Sequence, residues 1–80
     1  MNDTVIDPGA TLGVLGGGQL GAMFATAARR MGYAIAVWDP DPEAPAHRIA
    51  DYSLVCPFTD ADARIDFTRR VRAVTYEWEN

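Results

Sequence analysis

The segment Gly16-Gly17-Gly18-Gln19-Leu20-Gly21 constrains this chain more than any other. It follows the apolar run Leu12-Gly13-Val14-Leu15 and opens a stretch with helical apolar spacing. A glycine-rich turn between a short apolar strand and a helix is the first joint of a βαβ unit. Such a unit commits the chain to a parallel sheet with right-handed crossovers. Gly16, Gly18 and Gly21 satisfy G-x-G-x-x-G. Glycines allow the tight turn and let backbone N–H groups approach an anion at the helix N-terminus. On pattern alone this is a dinucleotide-binding turn, or a turn whose glycines only permit close helix–strand packing.

The rest of the chain continues the alternation. Thr11 to Leu15 reads as a short buried strand. A helix is predicted from about Gln19 to Met31, with Leu20, Met23, Phe24, Ala27, Ala28 and Met31 as one continuous apolar stripe. Arg29 and Arg30 suit the negative end of the helix dipole, and Gly32 is a good left-handed terminator. The unbroken apolar run Ala34 to Trp38 fits a central strand buried on both faces. Asp39-Pro40-Asp41-Pro42 stops it. Residues 44–51 hold a short helical turn, and Ser53 to Cys56 is a third strand closed by Pro57. Thr59-Asp60-Ala61-Asp62 resembles a capping box. The helix it starts runs to about Arg70, with Phe67 and Val71 on one face. Ala73 to Tyr76 is a fourth strand.

Residues 1–10 read as a loose leader and residues 11–80 as one domain. The order β-α-β-(turn)-β-α-β implies an α/β, Rossmann-like three-layer fold with four parallel strands. No covering helix follows the fourth strand, so the chain is expected to be the N-terminal part of a longer protein.

Composition excludes several function classes. The net charge is -4 with a pI near 4.6, whereas a nucleic-acid binder should be basic. The hydrophobic content of 49% excludes disorder. A lone cysteine, Cys56, suits a reducing cytoplasm and reads as a buried, inert thiol. A single histidine, His47, cannot build a metal site and reads as a surface or half-buried residue. Met1-Asn2-Asp3-Thr4 has no basic, apolar signal pattern, and no apolar stretch approaches the ~20 residues of a membrane span.

Four groups of residues bear on chemistry. Asp39 follows Gly21 at close to the ~20-residue spacing of a ribose-binding acid, or else starts an Asx turn before Pro40. Gln19, at the first turn of the helix, can donate and accept, which suits an amine, a hydroxyl or a heterocycle edge; the alternative is a solvated helix start. Glu77 and Glu79 share a face if the fourth strand continues through them, with Trp78 packing on the other. They suit an amine-bearing ligand, or are a charged strand exit. The acidic run from Asp39 to Glu43 reads as a rigid exposed loop stiffened by its prolines rather than a metal site.

Several of these stretches occur together in one family. The run Thr11 to Gly21 and its small, apolar helix resemble the N-terminal motif of the 5-(carboxyamino)imidazole ribonucleotide synthases, in the ATP-grasp superfamily. Ala28-Arg29-Arg30-Met31-Gly32-Tyr33 is similar to the same family, as are Trp38 to Ala46, Ile49-Ala50-Asp51 and Val74 to Asn80. The resemblance runs from about residue 11 to residue 80.

The resemblance implies a pre-ATP-grasp domain that is Rossmann-like yet holds no NAD. ATP and Mg2+ would bind in central and C-terminal domains outside this chain. The implied enzyme is cytoplasmic and homodimeric. It uses ATP and bicarbonate to carboxylate the exocyclic amine of 5-aminoimidazole ribonucleotide in purine synthesis. By position, Gly18, Gln19, Leu20 and Glu77 would contact that ribonucleotide, its phosphate being held by basic residues elsewhere. The formate-dependent glycinamide ribonucleotide transformylases carry Glu at the position of Gln19. Ala22 departs from the family, which usually has a basic residue there, and Trp78 stands where Phe is usual. The rival reading is an NAD(P)-binding domain of an oxidoreductase.

Overall fold

The computed structural model describes residues 9–76. Strand β1 (Thr11–Leu15) leads through the glycine turn into helix α1 (Gln19–Arg30), which returns to β2 (Ala34–Trp38). A 3-10 turn (Pro45–Arg48) precedes β3 (Tyr52–Leu54), and α2 (Ala61–Arg70) carries the chain to β4 (Ala73–Tyr76). The four strands form one parallel sheet in the order β3-β2-β1-β4. The α/β class, the four parallel strands and the element order agree with the sequence reading.

The sheet is packed on both faces. On one side Val14, Ile35 and Val37 meet Ala22, Ala25 and Ala28 of α1 and Ala46 of the 3-10 turn. On the other, Ala36 and Trp38 meet Ala63 and Phe67 of α2, with Val71 packed alongside. Strand β2 feeds both clusters, as its unbroken apolar run requires. Trp38 stacks obliquely on Phe67, with ring centroids 5.5 Å apart, and its indole N–H donates to the Cys56 carbonyl at 2.9 Å. Cys56 is a free thiol, partly rather than fully buried against this second cluster.

Three expectations are corrected. The buried face of α1 is Gly21, Ala22, Ala25 and Ala28, so of the expected stripe only Ala28 turns inward. Leu20, Met23 and Met31 are 60%, 66% and 68% exposed. Small residues win the inner face because they let the helix lie close to the sheet. The cap of α2 is Asp60, whose Oδ1 accepts the Ala63 N–H at 3.0 Å, and not Thr59 one residue earlier. Strand β3 spans Tyr52–Leu54 rather than Ser53–Cys56, because its pairing with β2 ends where Trp38 meets Leu54.

Helix α1 ends one residue short of Met31, in a Schellman arrangement. The N–H of Gly32 (φ +97°) donates to Arg29 O at 3.0 Å and that of Tyr33 to Ala28 O at 3.1 Å. Gly9 and Ala10, read from sequence as the end of a leader, already pair with the chain leaving α1. The N–H of Gly9 donates to Gly32 O at 2.8 Å, and Ala10 O accepts the Ala34 N–H at 3.0 Å. Residues 1–8 of that leader lie outside the described residues.

The outer edge of the sheet is tied down by side chains. Tyr52 on β3 donates its hydroxyl to Asp66 at 2.9 Å, and Arg70 Nε donates to the same carboxylate at 3.0 Å. The Arg70 guanidinium lies over the Tyr52 ring, 3.9 Å from its centre. On the opposite face Arg29 bridges to Asp51 at 2.9 Å. One arginine at each helix end, Arg29 on α1 and Arg70 on α2, thus has a side-chain partner.

Candidate functional site

The strand order fixes where a ligand can enter. The chain steps outward from β1 to β2 to β3, then crosses back to β4 on the other side of β1. The order therefore reverses between β1 and β4, and open α/β sheets bind ligands at the carboxyl ends of strands beside such a switch point. The glycine turn leaves β1 at that place. Leu15, just before the turn, is paired in register with Tyr76 at the end of β4.

The turn is held from the β2 side. The Gly16 N–H donates to Trp38 O at 2.9 Å, and Gly16 sits at φ +87°, a conformation that favours glycine. The Gly17 N–H donates to Asp39 Oδ2 at 2.7 Å, while Gly17 O accepts the Ala46 N–H at 2.8 Å. Asp39 Oδ1 accepts the Asp41 N–H at 2.8 Å, which is the Asx turn before Pro40. Both oxygens of Asp39 are thus engaged by main chain. Of the two sequence readings of this residue, the geometry matches the turn-forming one.

Gly18 is the N-cap of α1, and its carbonyl accepts the Ala22 N–H at 2.9 Å. No acidic side chain stands in the first turn of α1. The first turn lies at the positive end of the helix dipole. Gln19 and Leu20 both lie exposed on that turn, so Gly18, Gln19 and Leu20 are brought together at the carboxyl edge of the sheet. Glu77, the fourth residue expected here, lies outside the described residues, as do Trp78 and Glu79.

Beside the turn, on the α2 side, a groove of about 430 Å³ opens between Leu15, Gly16, Trp38, Phe58, Phe67 and Tyr76, with Arg64 as its charged rim. Its apolar lining was not foreseen. The signal for it lay in the alternation of β4, which sends Val74 and Tyr76 to the face that α2 only partly covers.

Other residues weighed from sequence take structural places. His47 is half-buried on the 3-10 turn, with Nε2 3.2 Å from Asp39 O. Asp41 and Glu43 belong to the exposed loop, where the Glu43 N–H donates to Asp41 Oδ1 at 2.9 Å. Ala22, at the position where the resembling family usually carries a basic residue, packs into the α1-side core at 9% exposure. Among the described residues no group of three or more His, Cys, Asp or Glu side chains is placed to hold a metal ion. No helix among them is long and apolar enough to cross a membrane.

Comparison with known proteins gives this geometry a context. The chain is 40% identical over 80 residues to the N5-carboxyaminoimidazole ribonucleotide synthase of Bacillus subtilis, covering all of this chain and 21% of that protein. It is 41% identical over 76 residues to a bifunctional purine synthesis protein purC/E of Dictyostelium discoideum, covering 95% of this chain and 8% of that one. A crystal structure of the ADP complex of purK, an N5-carboxyaminoimidazole ribonucleotide synthetase, superposes with a TM-score of 0.91 at 44% identity. That match covers 99% of this chain and 21% of the other. The synthetase of Staphylococcus aureus also gives a TM-score of 0.91, at 38% identity, over 100% of this chain and 22% of its own. The chain thus spans about a fifth of the length of these synthases. The model of the ribonucleotide synthetase preATP-grasp domain matches residues 9–80, and the chain belongs to that family.

Proposed function

We propose that this chain is the N-terminal, substrate-binding domain of a longer N5-carboxyaminoimidazole ribonucleotide synthase. That enzyme is an ATP-dependent carbon–nitrogen ligase of purine synthesis, here read as cytoplasmic and homodimeric. The domain spans residues 11–80, with residues 1–10 leading into it. The observation that carries this reading is the position of Gln19. In a chain of this family, an exposed carboxamide heads α1 beside the switch point between β1 and β4.

In this reading Gly18, Gln19 and Leu20 receive 5-aminoimidazole ribonucleotide, with bicarbonate as the carbon source. The carboxamide of Gln19 offers a donor and an acceptor to the ring or its amine. Glu77 contacts the ribose hydroxyls. Its support is its chain neighbour, since Tyr76 is in register with Leu15 next to the turn. Two solved relatives are ADP complexes. ATP and Mg2+ are here assigned to domains beyond this chain, and no step through them is assigned to its residues. The domain's contribution is to hold the amine in line for attack, which removes much of the entropic cost of a bimolecular step.

The test is kinetic and uses the full-length protein. It should turn over ATP only with aminoimidazole ribonucleotide and bicarbonate present. Gln19→Ala and Glu77→Ala should each raise the KM for the ribonucleotide by about tenfold, the value of one lost hydrogen bond to a bound ligand. Unchanged KM values for both would remove this site. Calorimetric binding of NADH at micromolar concentration, without ribonucleotide-dependent ATP turnover, would favour the oxidoreductase alternative.

A further inference from the structure

The structure assigns to Asp39 the role of a positioning residue for the substrate-binding turn, filling with its own carboxylate a backbone donor that a ligand anion would otherwise take. The assignment rests on the reading above, in which Gly18, Gln19 and Leu20 meet the ribonucleotide.

A glycine turn at a helix start is built to receive an anion, because its N–H groups converge and the helix dipole adds positive potential. In this chain an anion from the protein already takes one of those donors. Asp39 Oδ2 accepts the Gly17 N–H at 2.7 Å, a length typical of a hydrogen bond to a charged acceptor. The other oxygen is fixed by the Asp41 N–H at 2.8 Å, so the carboxylate cannot swing away without opening its own turn. His47 Nε2 sits 3.2 Å from the Asp39 carbonyl, and the Asp39 N–H donates to Leu54 O at 3.1 Å. The residue is therefore held at its backbone as well as at its side chain.

Gly17 is gripped on its other side too. Its carbonyl accepts the Ala46 N–H at 2.8 Å. A Cβ on Gly17 would stand 3.1 Å from Val37 Cγ1 and 3.3 Å from the Cβ atoms of Ala44 and Ala46. The peptide groups just before Gly18 and Gln19 thus have one placement, set by the loop after β2. Two consequences follow for the ligand. The turn presents Gln19 at a fixed position before the substrate arrives, which lowers the ordering cost of binding. A carboxylate at Gly17 also repels a phosphate, so the ribonucleotide is oriented with its uncharged end toward the turn.

The experiment compares Asp39→Ala, Asp39→Asn and Gln19→Ala in the full-length synthase, by KM for aminoimidazole ribonucleotide, KM for ATP, and kcat. Asp39→Ala should raise the ribonucleotide KM about tenfold or more, as loss of a charge-assisted hydrogen bond would. The KM for ATP and kcat should stay within about twofold. Asp39→Asn has one acceptor oxygen for the two N–H groups of Gly17 and Asp41, so it should recover only part of the loss. The double variant Asp39→Ala/Gln19→Ala should fall short of the product of the single effects, because Asp39 acts through the turn that carries Gln19.

A fall in kcat with an unchanged ribonucleotide KM would mean lost active enzyme only, and would overturn the assignment. So would effects that multiply in the double variant. If Asp39→Ala does not fold, Asp39→Asn decides: a ribonucleotide KM beyond about threefold of the parent, with kcat kept, supports the positioning role, and a KM within about threefold, whether kcat is kept or lost, opposes it. If Gln19→Ala leaves the KM unchanged, the reading of the site fails. If Gln19→Ala raises it and Asp39→Ala does not, only the positioning role fails.

Discussion

A Cβ placed on Gly13 would stand 2.9 Å from both Cε2 and Cζ of Phe67 and 3.0 Å from Val71 Cγ1. Phe67 is 1% exposed and wedged against Trp38, so its ring has nowhere to retreat. Gly13→Ala should therefore destabilise the chain by about 1–3 kcal/mol through overpacking, read as a lower urea midpoint. Phe67→Leu in the Gly13→Ala background should recover part of that loss; an unmoved midpoint for Gly13→Ala would show that α2 can shift outward at little cost. In the sequence Gly13 was only one member of an apolar run, because its crowding comes from a helix far along the chain. The glycine turn was more legible, since Gly16 to Gly21 act on their neighbours. Asp39 stood between. Its spacing from the turn could be counted, but that spacing fits a ribose acid and a backbone-binding carboxylate equally, and only the fold shows its oxygens on the Gly17 and Asp41 N–H groups.

Element boundaries follow from which local signals compete. Strands β1, β2 and β4 were readable because each is a short apolar run between turn residues. The cap of α2 was displaced by one residue, since Thr59 and Asp60 are both good caps and only the geometry chooses. Asp60→Ala should cost about 1 kcal/mol in thermal or urea unfolding, whereas Thr59→Ala should leave stability within about 0.5 kcal/mol. Equal losses for both would restore the box on Thr59. The partners of α2 also set a pH dependence. Hydrogen bonds from Arg70 and then Tyr52 hold the Asp66 carboxyl below its usual value. The folded chain thus takes up that proton less readily than the unfolded one. The stabilisation is complete above the unfolded value of 3.8 and is lost as pH falls through the lower folded value. Thermal melts across the acid range should show a shallower loss of Tm for Asp66→Asn than for the parent. The buried face of α1 was the least legible feature. The stripe Leu20, Met23, Phe24, Ala27, Ala28 and Met31 and the buried set Gly21, Ala22, Ala25 and Ala28 share only Ala28, both run along the helix at helical spacing, and hydropathy favours the one with the larger side chains. The sheet selects the smaller one by distance, a quantity that periodicity does not carry.

At the scale of the whole molecule, that choice leaves large apolar side chains on the outside of a three-layer domain. Leu20, Met23 and Met31 are each at least 60% exposed on α1, and Tyr76 is 64% exposed at the end of β4. Exposed apolar area of this kind marks a surface that meets another surface, or a liability when it does not. The 80-residue chain by itself should therefore associate as its concentration rises, visible as a growing weight-average sedimentation coefficient. Met23→Lys with Met31→Lys should reduce that association. Because neither side chain belongs to a core cluster, the pair should also leave Tm unchanged within the ordinary range of surface substitutions, about 0.5 kcal/mol per site. The two readouts separate the possibilities. A fall in Tm would mean that the large residues of α1 pack inward after all, as their hydropathy first implied. Reduced association at constant Tm would mean that the inner face belongs to the small residues, and that the outer one is held in reserve for contact with more protein.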